Sequence, residues 1–311
     1  MKQVGCRFLP AVHVKLPFVP ALCASLLMTY GANAATPSSR LVMTWVPPYA
    51  IDKCRTRLDE NTGGLGPKDG LTHLALQFWL PTRAGGVEKT TQYGAISDAT
   101  VIGFRDWAHA HGIRAMLCIY NSVETWDWSL AQAGFAEHRE EFVRALVAET
   151  ERLKLDSIDV DLEGNGEFDA SKEAYVAFVR ELATRLHALG KQITVDSFAY
   201  KWNAPNQTWW PELFPLVDGI NSMGYAEIGA NAPDWHAYAA QKSAAGTNAA
   251  KLLLGIPADK PDWLGNTAAE QLDWIARDPS VGVAIWDAQF GAPFWKTPAA
   301  WQTLAKMHHG Q

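Results

Sequence analysis

Cysteine is scarce in this sequence, positive charge is outweighed, and no membrane-length apolar run occurs. Four cysteines in 311 residues exclude a disulfide-stapled scaffold. Cys6 and Cys23 lie near the N-terminus, which leaves Cys54 and Cys118 in the body of the chain; an oxidising compartment would permit one bridge, but Cys118 sits in an apolar run that reads as a buried strand, which favours two inert buried thiols. Lys and Arg number 27 against 33 Asp and Glu, a formal charge of -6, so there is no basic stripe to follow a phosphate backbone and nucleic acid is not an expected partner. No Pro/Gly/Ser linker, internal repeat, charge block or composition break divides the chain after its first residues, and one domain follows. The Gly-rich loop at 63–66 lacks the lysine and the helix start of a phosphate cradle.

What is present begins with an export signal. Lys2, Arg7 and Lys15 stand without any acid, an apolar run follows from Leu16 to Met28, and Ala32-Asn33-Ala34 supplies a small-residue cleavage site. Pro17 and Pro20 interrupt that run, which is too short for a comfortable membrane span. Cleavage after Ala34 is expected, giving a secreted or periplasmic protein over residues 35–311 with no membrane attachment. Loss of the three cations moves the charge from -6 to -9. Tryptophan is the compositional excess. Fourteen indoles exceed what a core of this size uses, and flat indoles are what the apolar C–H faces of sugars stack on.

Apolar, β-rich runs alternate with longer helical patterns to the end of the chain. Strands are predicted at 41–46, 71–79, 113–120, 157–162, 192–198, 219–225, 251–256 and 281–286. Helices are predicted at 99–111, 135–154, 171–189, 234–244, 268–277 and 298–307. Eight strand–helix units of this kind predict an α/β fold, a single (β/α)8 TIM barrel, because parallel strands buried on both faces read as near-continuous apolar runs. A doubly wound open sheet is the competing architecture. About ten residues separate Ile256 from the next helix, too few for a large inserted α+β domain, so an open cleft is expected.

The most informative segment is Leu155-Asp156-Ser157-Ile158-Asp159-Val160-Asp161-Leu162-Glu163-Gly164. Side chains of a strand alternate faces, so Asp159, Asp161 and Glu163 point one way and Ile158, Val160 and Leu162 the other. The apolar set packs on helices. The acids then face the barrel interior and climb towards the C-terminal mouth, where barrel active sites sit. Asp156 has the opposite parity and is read as structural. Crowded carboxyls in a low-dielectric cavity push at least one pKa upward, and a carboxyl that keeps its proton near neutrality is a general acid. Glu163, the outermost, has the reach for that role. A magnesium or manganese site is the rival reading of three acids, although barrel metal sites draw ligands from several strands and no histidine stands close by. No metal and no cofactor are expected.

This segment resembles the DxxDxDxE signature of glycoside hydrolase family 18, the chitinases and endo-β-N-acetylglucosaminidases, with Asp156, Asp159, Asp161 and Glu163 all matching. Asn221-Ser222-Met223-Gly224-Tyr225 resembles the family's Met-x-Tyr strand end, and Ala284-Ile285-Trp286 its last-strand tryptophan. The three pieces fall on the fourth, sixth and eighth predicted strands. The resemblance implies a retaining mechanism in which the substrate's own 2-acetamido oxygen replaces an enzyme nucleophile. It gives Glu163 the proton transfers, Asp161 the acetamido N–H, Asp159 the tuning of Asp161 from beneath, Tyr225 a hydrogen bond to the acetamido oxygen, and Trp286 the floor under the sugar. Met223 shares strand parity with Tyr225. Asp196 and Tyr200 are candidates for sugar hydroxyls; Trp45, Trp79 and Tyr120 are candidate binding residues at or near strand ends, with Trp126, Trp128, Trp202 and Trp210 as further stacking platforms.

The chain departs from the pattern at Ser157, where the family has glycine, at Leu162, and at Ala226 after the tyrosine. Its third strand ends in Cys118-Ile119-Tyr120-Asn121 in place of SxGG. The expected substrate is a chitin-like polymer of β-1,4-linked N-acetylglucosamine, cleaved by a monomeric enzyme. Peptidoglycan and N-glycan cores are the alternatives, and a non-catalytic chito-oligosaccharide-binding lectin on the same barrel is the reading from another class.

Overall fold

The computed structural model describes residues 40–166, 168–199, 201–224, 235–258, 262–263 and 266–310. Eight parallel strands form the core: β1 (Val42–Val46), β2 (His73–Pro81), β3 (Arg114–Tyr120), β4 (Ser157–Asp161), β5 (Gln192–Ser197), β6 (Gly219–Ser222), β7 (Leu252–Pro257) and β8 (Gly282–Trp286). Each pairs with its neighbour in chain order, and β1 pairs with both β2 and β8, which closes the barrel. The helices that follow the strands are α1 (Ile51–Leu58), α2 (Asp98–Ala110), α3 (Arg139–Arg152), α4 (Lys172–Ala188), the single turn α5 (Trp210–Leu213), α6 (Trp235–Ala245), α7 (Ala268–Ala276) and α8 (Pro298–His308). The fold is a (β/α)8 TIM barrel. Between β7 and α7 the described residues hold only a two-stranded ribbon, Asp262–Trp263 with Asn266–Thr267.

Two apolar layers follow from strand alternation. Ile158, Val160 and Leu162 of the β4 segment belong to the large outer layer beneath the helices, where Phe142 of α3 stacks on Phe178 of α4 at 5.3 Å. A small inner cluster of Met43, Trp45, Ala75, Met116, Cys118, Leu253 and Ala284 fills the lumen. Cys54 is in the outer layer and Cys118 in the lumen; both are free buried thiols, so of the two cysteine readings the structure has the inert pair.

At the N-terminal end of the barrel, His73 is buried, with Nδ1 on the Thr72 hydroxyl and Nε2 on Gln192 Oε1. Arg40 fastens the start of the described chain to the last units. Its guanidinium donates to the carbonyls of Ile275, Ala276 and Asp278, satisfying the open C-terminal end of α7, while its amide donates to Met307 of α8.

The second strand contains an irregularity that reassigns one side chain. A short antiparallel strand, Val87–Lys89, pairs with the far end of β2, and the β2–β3 register shifts between Gln77 and Trp79. Simple alternation from Ala75 and Gln77 predicts Trp79 in the lumen. The bulge inserts Phe78 and turns Trp79 outward, opposite the outward-facing Ile119. Its indole N–H donates to Glu149 of α3 at 3.1 Å. Trp79 is therefore a residue of the sheet–helix interface, which corrects its assignment to the substrate site.

Candidate active site

The acids of β4 stand in the lumen in the order that the sequence predicts, each with different partners. Asp159, the deepest, is fully buried; its Oδ2 accepts the indole N–H of Trp45 at 2.8 Å, and its Oδ1 accepts the Thr194 hydroxyl and, at 3.2 Å, the Asn221 amide. Asp161 is level with Tyr120 of β3 and accepts Gln77 Nε2 on Oδ2 at 2.7 Å. Its Oδ1 is buried and receives no donor from any other described side chain or backbone N–H. Glu163 lies just past the end of β4, nearest the mouth, with its carboxyl within hydrogen-bonding reach of Asp161. Two carboxyls this close hold together by sharing a proton.

Electrostatics assign that proton. Burial, then the charge of Asp161 and the hydrogen bond to it, raise Glu163 well above the ordinary glutamate value. Burial and the charge of Asp159 raise Asp161 to about 7, against the opposing hydrogen bond from Gln77. Asp159 is raised by burial, in opposition to its hydroxyl and indole donors. Burial and crowding thus both favour a proton at the outer end of the site, where it can pass to an oxygen presented at the mouth.

Asp156 sits at the start of the strand, where its Oδ2 accepts the Ala115 amide and His109 Nε2, both at 2.8 Å; its role is to join β3 to β4. Asp196 of β5 is buried in the lumen and accepts Asn221 Nδ2 at 2.6 Å, so one amide spans Asp159 and Asp196. Burial, followed by the charges of Asp159 and Asp161, pushes Asp196 well up. Tyr120 is buried beside Asp161, and burial raises its phenol to about 12. Trp286 is half-buried and tilts against Trp45, ring centres 5.8 Å apart. Trp45 lies beneath it, its N–H committed to Asp159.

The sixth strand ends at Ser222, earlier than the predicted 225, and Met223 follows it with its amide on Ser197 O. A Cβ on Gly224 would come within 2.5 Å of Gln241 Nε2, so a larger residue at that step requires the Gln241 side chain to move. Tyr225 and Tyr200 lie outside the described residues.

Of the further tryptophans, Trp202 is 56% exposed and Trp126 lies edge-on to Tyr120 at 6.5 Å. Trp128 and Trp210 are core residues instead, the first among Phe135, Phe168 and Tyr175, the second donating to Ser197 Oγ at 2.8 Å. Sequence reasoning passed over Gln77, Thr194 and Asn221, the donors that hold the acids. A signal for them exists: each is a polar residue at lumen-facing parity inside an otherwise apolar strand. Tyr49 and Tyr93, 49% and 53% exposed and edge-to-face at 5.6 Å, were also missed, as was buried Asp287, whose Oδ2 accepts the Tyr49 hydroxyl at 3.3 Å.

The family model described as glycosyl hydrolases family 18 matches residues 50–307. The chain belongs to this family. As a family 18 member it is a chitinase-like glycosidase, and β4 carries the family's acid signature. Solved structures give the same fold at low identity. A chitinase from Bacteroides thetaiotaomicron is 14% identical, with a TM-score of 0.68, over 87% of this chain and 97% of that one. A chitinase from Chromobacterium violaceum is 16% identical, with a TM-score of 0.66, over 86% and 98%. The spore cortex-lytic enzyme SleL of Bacillus cereus is 13% identical, with a TM-score of 0.64, over 86% of this family 18 chain and 74% of its own. No curated protein matches.

Proposed function

We propose that this glycosidase cleaves β-1,4 linkages of chitin-like, N-acetylglucosamine-containing glycans with retention, by a substrate-assisted route in which Glu163 is the acid and base. The observation that carries the reading is the graded file of acids along β4 and just past its end, with the outermost carboxyl in hydrogen-bonding reach of Asp161, whose Oδ1 receives no donor among the described residues.

Glu163 gives its proton to the glycosidic oxygen as the C1–O bond breaks. The acetamido carbonyl oxygen bonds to C1, and the positive charge spreads over the resulting oxazolinium ring. Asp161, relieved of its shared proton, accepts the acetamido N–H and balances that charge. Gln77 keeps the Asp161 carboxyl turned towards the mouth, and Asp159 lies beneath it, held by Trp45, Thr194 and Asn221. Tyr225 is assigned to the acetamido oxygen and Trp286 to the floor beneath the sugar ring. Glu163 then takes a proton from the water that attacks C1, and the C1–acetamido bond opens. No metal or cofactor is needed for these steps.

Replacing Glu163 with Gln tests the assignment. Hydrolysis of chito-oligosaccharides should fall about 10²–10⁴-fold while binding by calorimetry is retained. Equal turnover by Glu163→Gln and wild type rejects Glu163 as the acid; a wild type that binds and never cleaves is a lectin. Early product of the β configuration by NMR supports retention. Likeness to a spore cortex-lytic enzyme keeps peptidoglycan as a second substrate, so the wild type should be assayed on chitin oligomers, peptidoglycan and a high-mannose glycopeptide side by side. Export is proposed too: a periplasmic or secreted protein starting at Ala35 by N-terminal sequencing supports it, and an uncleaved cytoplasmic chain does not.

A further inference from the structure

Glu163 has a mechanical problem that the barrel does not solve by strand pairing. The β4 ladder ends at Asp161 on the β3 side and at Val160 on the β5 side, two or three residues short of the acid. The next main-chain tie, the reciprocal pair between Gly164 and Ala204, lies one residue beyond it. At Glu163 itself both peptide groups are taken by one side chain. Asn121 Oδ1 accepts the Glu163 N–H at 2.8 Å, and Asn121 Nδ2 donates to the Glu163 carbonyl at 2.9 Å.

Asn121 is fully buried and is itself held from the other side. Its second amide hydrogen goes to the Asp127 carbonyl at 2.9 Å, and its own carbonyl accepts the Asp127 N–H at 2.9 Å. Asp127 caps the helix Trp128–Gln132, its carboxylate accepting the Leu130 amide at 3.1 Å. The side-chain amide thus continues the β3–β4 ladder as a surrogate peptide and anchors it to a helix start. Only a group with one acceptor and two donors in a plane can do this, and asparagine is the residue of that size that has them.

We infer that Asn121 is a positioning residue for the proposed reaction, fixing the main chain at Glu163 so that its carboxyl stays against Asp161 and at the depth of the scissile oxygen. The inference rests on the reading of Glu163 as the acid. It accounts for Asn121 at the third-strand end, where the sequence departs from the family's SxGG pattern.

Two variants, Asn121→Ala and Asn121→Asp, test it on whichever glycan the wild type cleaves, with Glu163→Gln alongside. The Glu163 variant separates the two ideas: if it keeps full activity, the acid assignment fails whatever Asn121 does. For Asn121→Ala, kcat should fall about 10–100-fold with KM within about threefold, and the alkaline limb of the pH profile should move to lower pH as the carboxyl loses its hold on Asp161. Asn121→Asp keeps the acceptor and the volume but sets an anion against two carbonyl oxygens. It should match the alanine variant at high pH and recover towards wild type as the new acid is protonated. A subpopulation of misfolded enzyme would lower kcat without moving the alkaline limb, and that result overturns the inference. So does an alanine variant with wild-type kcat and pH profile.

Discussion

At the scale of single residues, the lumen is a set of opposed titrations. Asp161 has a free value near 3.8 and a folded value of about 7, so between those limits the native protein holds a proton that the unfolded chain has released. Stability from this group is complete below the free value and is lost as pH rises through 7. His73 has the reverse sign: burial lowers it from 6.5 to about 4, and its contribution is lost as pH falls across that interval. Asp161→Asn removes the first dependence and keeps the acceptor for Gln77. Its melting temperature should equal or exceed the wild type's by a margin that widens from pH 4 to pH 8, reaching about 2–6 °C, while turnover collapses. A margin that is flat across this range in calorimetric scans means that Asp161 is not a strained, proton-holding acid.

At the scale of elements, the sequence marks what is periodic and misses what is relational. Seven of the eight strands lie within two residues at both ends of their predicted bounds, because each is a continuous apolar run between two buried faces. The three-acid side of β4 is legible because period-two alternation is a local property. Trp79 is not legible, since its orientation depends on a bulge that arises only when Val87–Lys89 pairs with β2. The sixth strand ends three residues short of its predicted bound for a related reason: period-two parity continues in the sequence past the point where β6 stops pairing with β7, at Ser222. Asn121 stands one step beyond an apolar run, and its complementarity to a peptide 42 positions away is a matter of three dimensions alone.

Trp79→Phe leaves part of the indole's buried volume unfilled and loses one hydrogen bond, so it should lower the melting temperature by several degrees with KM unchanged. Trp286→Ala removes the half-buried ring at the mouth and should raise KM about tenfold or more with little change in melting temperature. Steady-state kinetics on one oligosaccharide with both variants decide the matter; a raised KM for Trp79→Phe returns that ring to the sugar site.

For the whole molecule, closure of the barrel brings the first and last described segments together, and Arg40 is the fastening. The guanidinium caps α7 and the amide reaches α8. Cyclic order is thus set by contacts that do not depend on where the polypeptide is cut. A circular permutant that joins position 310 to position 40 through a short Gly/Ser connector, reopened in the exposed turn at 61–65, should fold and retain its activity, with a melting temperature within about 5 °C of the parent. The same permutant carrying Arg40→Ala should lose several degrees more, because the carbonyls of Ile275, Ala276 and Asp278 then lose their guanidinium donor.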